Sequence, residues 1–448
     1  MYAILDDAAR RARQYLEGLD GRAVAPSASA VSALKALDEP LPASAGDPRD
    51  TLAVLDRVVS PATMASAGAR FFGFVIGGAL PVTVAANWLA GAWDQNAGLY
   101  EPMPGVSHLE EVALRWLIEL FGLPPATGAG FVTGATVANF TALAAARHAV
   151  LARAGWNVEA DGLFGAPPIT VITGAEAHPT LLKSLGMLGL GRGRVVRVPV
   201  DDQGRMRADG LPRIEGPAIV CLQAGNVNTG SFDPFEPLIE RAHAAGAWVH
   251  VDGAFGLWAR AAPSLRHLTH GLENADSWAT DAHKWLNVPY DSGLAFSRDP
   301  HALQAAMAIT AEYLPTASVH RNPSDFTPEL SRRARGVEVW AALRSLGRAG
   351  LVELLERNCR QARRFAAGLK EAGHEILNEV VLNQVLVAFG EADRTRQVVA
   401  ALQSEGTCWC GITVWQGRTA MRISVSSWAT RDADVERSLA AMLRVAQR

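Results

Sequence analysis

Cysteine is scarce in this chain: 448 residues contain four. Cys221, Cys359, Cys408 and Cys410 form no paired framework, so reduced thiols in a cytosolic protein are expected. Cys408 and Cys410 stand two apart, whereas zinc ligands have wider spacing and more members, so no metal is expected. Excess charge is also lacking. The net charge is −3 and no block of Lys and Arg stands out. Nucleic acid and an anionic membrane surface are therefore poor expectations for a partner. No signal peptide is expected either, because "MYAILDDAARRARQYLEG" carries acidic residues and no apolar core. Its apolar residues Leu5, Ala8, Ala12, Leu16 and Leu19 recur at helical spacing and predict an amphipathic helix. No internal repeat or low-complexity tract is found.

What is present is apolar material: 49% of residues are hydrophobic and 19% charged. That is enough for a large core and more than one domain. Residues 71–93, "FFGFVIGGALPVTVAANWLAGAW", carry no charge over a length that would span a bilayer. The glycines, Pro81 and Asn87 instead favour a buried, irregular path into a core or subunit interface, with a membrane span as the lesser alternative. Residues 21–50 read as a linker. From 107 onward, Ser107 and Glu110 stand in capping-box spacing, and Leu109, Val112, Trp116 and Leu120 form one helical face.

Short β-branched runs follow at 169–173, 194–200, 218–224 and 247–254. Helical stretches such as "PTLLKSLGMLG" and "PLIERAHAAG" lie between them. Strand, helix, strand at this spacing predicts an α/β domain with a mostly parallel sheet. After about 335 the helices lengthen, and "NQVLVAFG" and "AMRISVSSW" read as strands of a smaller α+β C-terminal domain. The expected organisation is an N-terminal helical segment (1–80), a large domain (81–335) and a small one (336–448).

In an open α/β sheet, ligands gather at the carboxyl ends of strands. Asp252, His178, Asn226, Asn228 and Lys284 all fall at or just after such ends. A lysine kept from full protonation by burial forms a Schiff base with an aldehyde cofactor. A pyridine-ring cofactor needs a carboxylate near its nitrogen and backbone N–H groups at a helix start for its phosphate. Lys284, Asp252 and "TGATVANFTALAAAR" (133–147) supply one of each. Singly, each has an ordinary structural reading: Asp252 as a cap or turn former, His178 as a structural histidine, Lys284 as a snorkelling surface residue. Their combination argues for a site.

The segments "HVDGAFG" (250–256) and "DSWATDAHKWLNVPY" (276–290) carry a resemblance. The chain resembles the pyridoxal-phosphate-dependent group II amino acid decarboxylases from "RFFGFV" (70–75) to "RISVSSWAT" (422–430). Ser277 fits that family's lysine motif. The resemblance implies a fold-type-I, transferase-like architecture, pyridoxal 5'-phosphate as cofactor, and a homodimer with its active site at the interface. It implies that Lys284 carries the cofactor as a Schiff base and that Asp252 pairs with the pyridine nitrogen. His178 and the Ala254 methyl would cover the two ring faces. Ala135 and Thr136 would bind phosphate, His283 would lie between phosphate and substrate, and Asn228 would line the cofactor.

Tyr313, in the proline-bearing stretch 312–331, matches a lid tyrosine that protonates the α-carbon after CO2 departs. The implied reaction is decarboxylation of an L-amino acid to the amine and CO2. An aminotransferase, a carbon–carbon lyase or an aldehyde-forming enzyme on the same fold is the alternative, and a non-enzymatic protein that kept the site is a third. Val75, Gly77 and the segment 96–105 depart from the aromatic-substrate pattern, and Val227 stands where Thr is common.

Overall fold

The computed structural model describes residues 2–309 and 320–447. Tyr313 lies outside the described residues. The chain divides into two compact units, one of residues 79–360 with 378–384, the other of 1–78, 361–377 and 385–448.

The larger unit is built on a seven-stranded sheet. Its strands are β1 (Gly128–Val132), β2 (Thr170–Gly174), β3 (Val196–Val198), β4 (Ala218–Gln223), β5 (Trp248–Asp252), β6 (Ser277–Asp281) and β7 (Gly293–Ser297). The spatial order is β1-β7-β6-β5-β4-β2-β3. The run from β3 to β6 is parallel, and β7 is antiparallel to both β6 and β1. Strands buried on both faces favour continuous apolar runs, and "AIVCL" in β4 is fully buried. Parallel neighbours need crossovers, which helices Pro179–Met187 and Phe235–Ala244 provide. Helix Ala135–Arg153 follows β1 and packs on β5, β6 and β7.

Three expectations change. Helix Pro104–Phe121 begins before Ser107, because Pro104 occupies its first turn, where a fixed φ and a missing N–H suit a helix start. The capping box is therefore absent. Ser107 Oγ instead donates to Leu99 O at 3.2 Å, and Glu110 pairs with Arg332 at 3.1 Å and Arg321 at 3.3 Å. Residues 71–80 are irregular, as expected, but Pro81 starts a true helix, Pro81–Trp93. Among the described residues no helix is long and apolar enough to cross a membrane. The expected linker at 21–50 holds helix Ala28–Ala33 and the start of helix Pro48–Val54. Ser27 and Asp47 cap them, accepting from Ala30 N at 3.1 Å and Arg49 N at 2.8 Å.

The smaller unit carries a four-stranded sheet of order β10-β11-β9-β8. Its strands are β8 (Glu375–Ile376), β9 (Gln384–Ala388), β10 (Gly411–Trp415) and β11 (Arg418–Ser424). Helices Ala392–Glu405 and Asp432–Ala446 accompany them. The predicted N-terminal helix is present as Ala3–Glu17, with Leu5 and Leu16 exposed. All four cysteines are buried and none forms a disulfide.

Candidate active site

The parallel strands bring their carboxyl ends to one edge of the sheet. Asp252 ends β5, Asp281 ends the adjacent β6, and the register sets Asp252 opposite Ala279. Lys284 follows three residues after Asp281. Its Nζ lies 2.9 Å from Asp281 Oδ2. Asp281 Oδ1 accepts the Ala135 N–H at 2.6 Å. One buried carboxylate thus joins the lysine to the first N–H of helix Ala135–Arg153, where the helix dipole favours negative charge.

His283 is buried beside this pair. Its Nδ1 accepts from Ser292 N at 3.1 Å, so a neutral ring carries its proton on Nε2, 3.6 Å from Asp281 Oδ1. Burial pushes this imidazole below its ordinary pKa, and the Asp281 carboxylate opposes that shift. The ring stacks on Tyr290 with centroids 4.2 Å apart.

Asp252 is buried in the floor of the same edge. Its Oδ1 accepts from Ala254 N at 3.2 Å and its Oδ2 from Asn139 Nδ2 at 3.1 Å. The Ala254 carbonyl accepts the Asp281 N–H at 2.9 Å, tying the ends of β5 and β6 together.

The remaining candidates have visible structural duties. His178 caps helix Pro179–Met187, with Nδ1 at 2.6 Å from Thr180 Oγ1. Thr136 offers its carbonyl to Ser184 Oγ at 2.7 Å. Asn228 donates its N–H to Asn226 Oδ1 at 2.9 Å, within the loop after β4. Arg332 and Arg335 make ion pairs with Glu110 and Asp291.

Sequence reasoning missed Asp281, Tyr290, Asn139 and His250. Two signals were available. His250 lies two residues before Asp252, hence on the same face of one strand. Asn139 lies one helical turn beyond Ala135.

The geometry fits pyridoxal phosphate on three counts. The start of helix Ala135–Arg153 already receives an anionic oxygen, which is what a phosphate presents. Gly134 leaves room there, since a Cβ would come within 3.2 Å of His283 Cε1 and 3.4 Å of Asp281 Oδ1. Ser292 Oγ, next to His283, is buried with no hydrogen-bond partner among the described residues.

Comparison with known proteins agrees. The model of the pyridoxal-dependent decarboxylase conserved domain matches residues 32–390. Tryptophan decarboxylase 1 of Oryza sativa subsp. japonica is 27% identical over 84% of this chain and 80% of its own length. L-2,4-diaminobutyrate decarboxylase of Rhizobium meliloti is 29% identical over 77% of this chain and 72% of its own. The crystal structure of Oryza sativa TDC with PLP and tryptamine shares the fold, with TM-score 0.91 at 22% identity over 99% of this chain and 97% of that one. Across that span the chain belongs to the pyridoxal-dependent decarboxylase family, and it is a pyridoxal-phosphate-dependent amino acid decarboxylase.

Proposed function

We propose that Lys284 is the residue that holds the cofactor's aldehyde carbon, and that the substrate is an L-amino acid released as its amine. One observation carries this: a part-buried lysine amine sits on a buried carboxylate at a helix start, one strand away from a second buried carboxylate. The bound cofactor supplies an electron sink for the pair left on the α-carbon when the carboxyl group departs.

The chain's own groups do the rest. The N–H groups of Ala135 and Thr136 would hold phosphate oxygens. Asp252 would face the ring nitrogen. His178 and Ala254 would cover the ring faces, with Asn228 at the margin. His283, a neutral donor through Nε2, would bridge phosphate and substrate. Tyr313, outside the described residues, is the proposed donor of the proton to the α-carbon. General acid help of that kind typically contributes about 10²–10⁴-fold in rate.

A panel of L-amino acids scored separately for CO2, amine and aldehyde tests the reaction. The expected result is amine and CO2 in equal amounts from at least one substrate. Aldehyde formed with oxygen uptake, or α-proton exchange without CO2, would replace this reading.

We place the enzyme as a homodimer in the cytoplasm. Four buried cysteines, none in a disulfide, support a reducing compartment. Helix Pro81–Trp93 carries no charge, yet Val82, Trp88, Leu89 and Trp93 are 38–54% exposed on the single chain. Exposed apolar side chains on an uncharged helix mark a contact, and a second copy of the chain is the occupant expected. Sedimentation at micromolar concentration should give twice 47.6 kDa. Trp88→Glu should shift that mass toward one chain. A fully active monomer would remove the dimer from the proposal.

A further inference from the structure

We infer that Trp248, Ser277, His250 and Asn139 form a one-way hydrogen-bond relay that positions the Asp252 carboxylate; the inference rests on assigning Asp252 to the cofactor's ring nitrogen. The relay runs through the interior of the larger unit. Trp248 Nε1 donates to Ser277 Oγ at 2.9 Å. Ser277 Oγ lies 2.9 Å from His250 Nδ1. His250 Nε2 lies 2.9 Å from Asn139 Oδ1. Asn139 Nδ2 donates to Asp252 Oδ2 at 3.1 Å.

The last bond fixes the direction of the others. Asn139 spends its amide hydrogen on Asp252, so its oxygen faces His250 and must accept. His250 therefore carries its proton on Nε2, and Nδ1 is left to accept from the Ser277 hydroxyl. Ser277 in turn accepts from the indole. Each polar group in the relay is thus used in the sense its neighbour requires. Burial holds the imidazole neutral, pushing its pKa down to about 3, so the relay passes dipoles and no second charge toward Asp252.

The fold supplies the placement. Trp248, His250 and Asp252 alternate along β5 and share one face. Ser277 opens β6 directly opposite His250. Asn139 comes from helix Ala135–Arg153, whose first N–H meets Asp281. That helix thus reaches the phosphate end of the site through its start and the ring-nitrogen end through Asn139.

Asn139, His250 and Ser277 are fully buried, and Trp248 and Asp252 nearly so. Apolar replacements of similar shape are often as stable as buried polar groups, so packing alone does not call for four polar side chains in line. A role in aiming the carboxylate does. Asp252 keeps its other oxygen on the Ala254 N–H, so both oxygens are fixed and the carboxylate cannot rotate freely.

The test uses holoenzyme carrying Asn139→Leu, His250→Phe, His250→Gln or Asp252→Asn. Three readouts apply: the cofactor dissociation constant by visible titration, the absorption maximum of bound cofactor, and kcat and KM measured separately. Groups that orient metal ligands from behind are typically worth about 10–100-fold, and the same order is expected for a group that orients Asp252. Asn139→Leu and His250→Phe should therefore weaken cofactor binding and lower kcat by about 10-fold or more, with substrate KM moving less, because the relay touches no substrate. The absorption maximum should shift in the direction Asp252→Asn shifts it. His250→Gln places an acceptor and a donor where the two ring nitrogens stood and should regain most of what His250→Phe loses. Wild-type affinity, spectrum and kcat in a folded Asn139→Leu would overturn the relay. Equal losses in His250→Gln and His250→Phe would also overturn it, making packing the cause. An unaltered Asp252→Asn enzyme would overturn it through its premise, which separates that failure from the other two.

Discussion

Lys284→Ala is expected to give a colourless protein that releases no measurable CO2 from any amino acid. The chain's other lysines are Lys35, Lys183 and Lys370, and all three are exposed. Only Lys284 combines burial with a carboxylate partner at a helix start. Loss of a covalent nucleophile in hydrolases lowers kcat by about 10⁶-fold, so a fall of 10⁴-fold or more is a reasonable floor here, on the order of that example. The alanine variant also strips Asp281 of its cation, and breaking a buried pair typically costs about 3–5 kcal/mol. Lys284→Arg separates the two effects. It keeps a cation beside Asp281 but offers no amine that condenses with an aldehyde. Both variants should lack the cofactor's visible band, while the arginine variant should melt nearer wild type. Borohydride reduction of wild type should label the peptide holding residue 284. A label on one of the three exposed lysines would move the site elsewhere.

Asp252→Asn should lower kcat by about 10²-fold or more, the order found when one preorganised electrostatic partner is removed from an active site. Two effects add. A neutral amide cannot hold a protonated pyridine nitrogen, so the electron sink is weaker when the carboxyl group departs. The amide also has one oxygen, whereas the Ala254 N–H and Asn139 Nδ2 both donate to this side chain now. One of those donors would face an N–H₂ group, and a buried donor without an acceptor typically costs about 1–3 kcal/mol. Cofactor affinity should therefore fall along with turnover. Titrating cofactor into the variant and timing CO2 release measure the two separately. A folded variant with near-normal turnover would take Asp252 out of this role.

Strands β2 to β5 were legible as β-branched runs with helices at crossover distance, and β4 and β5 are buried almost throughout. β1 was not legible. Its sequence is "GAGFV", and its glycines are demanded from outside the strand: a Cβ at Gly130 would come within 2.6 Å of Phe326 O, and one at Gly128 within 2.9 Å of Pro300. Propensity sees weak strand formers there, and tertiary contact decides. Ser107 misled for a related reason. Its spacing to Glu110 is that of a cap, but Pro104 had already begun the helix and Glu110 had arginine partners from residues 321 and 332.

In the site, Lys284, His283 and Ala135 could be placed near one another from motifs alone, and the structure joins them through Asp281. Asp281 was in plain view, yet its partner Ala135 lies far back in the chain. The contact that gives it meaning is not local. Ser277 was legible only as part of a motif. Its place between Trp248 and His250 depends on which residues β5 and β6 set side by side.

The reversed strand β7 has a mechanical consequence. Because it runs against β6, it starts at the edge where β6 finishes, and Gly293 pairs directly with Asp281. Residues 282–292, which carry His283 and Lys284, are thus pinned at both feet to the same rung of the ladder. Inside that arch, the N–H groups of Ala282 and His283 both reach the Ser292 carbonyl, at 3.0 and 3.2 Å. Gly293 also lies so near Gly134 that a Cβ on it would stand 2.5 Å from the Gly134 Cα. The lysine is therefore mounted on a short, braced span rather than on a hinge. Swinging its backbone away would mean unzipping the interior of the sheet, so reach and release at this position fall to the side chain's own four-carbon arm.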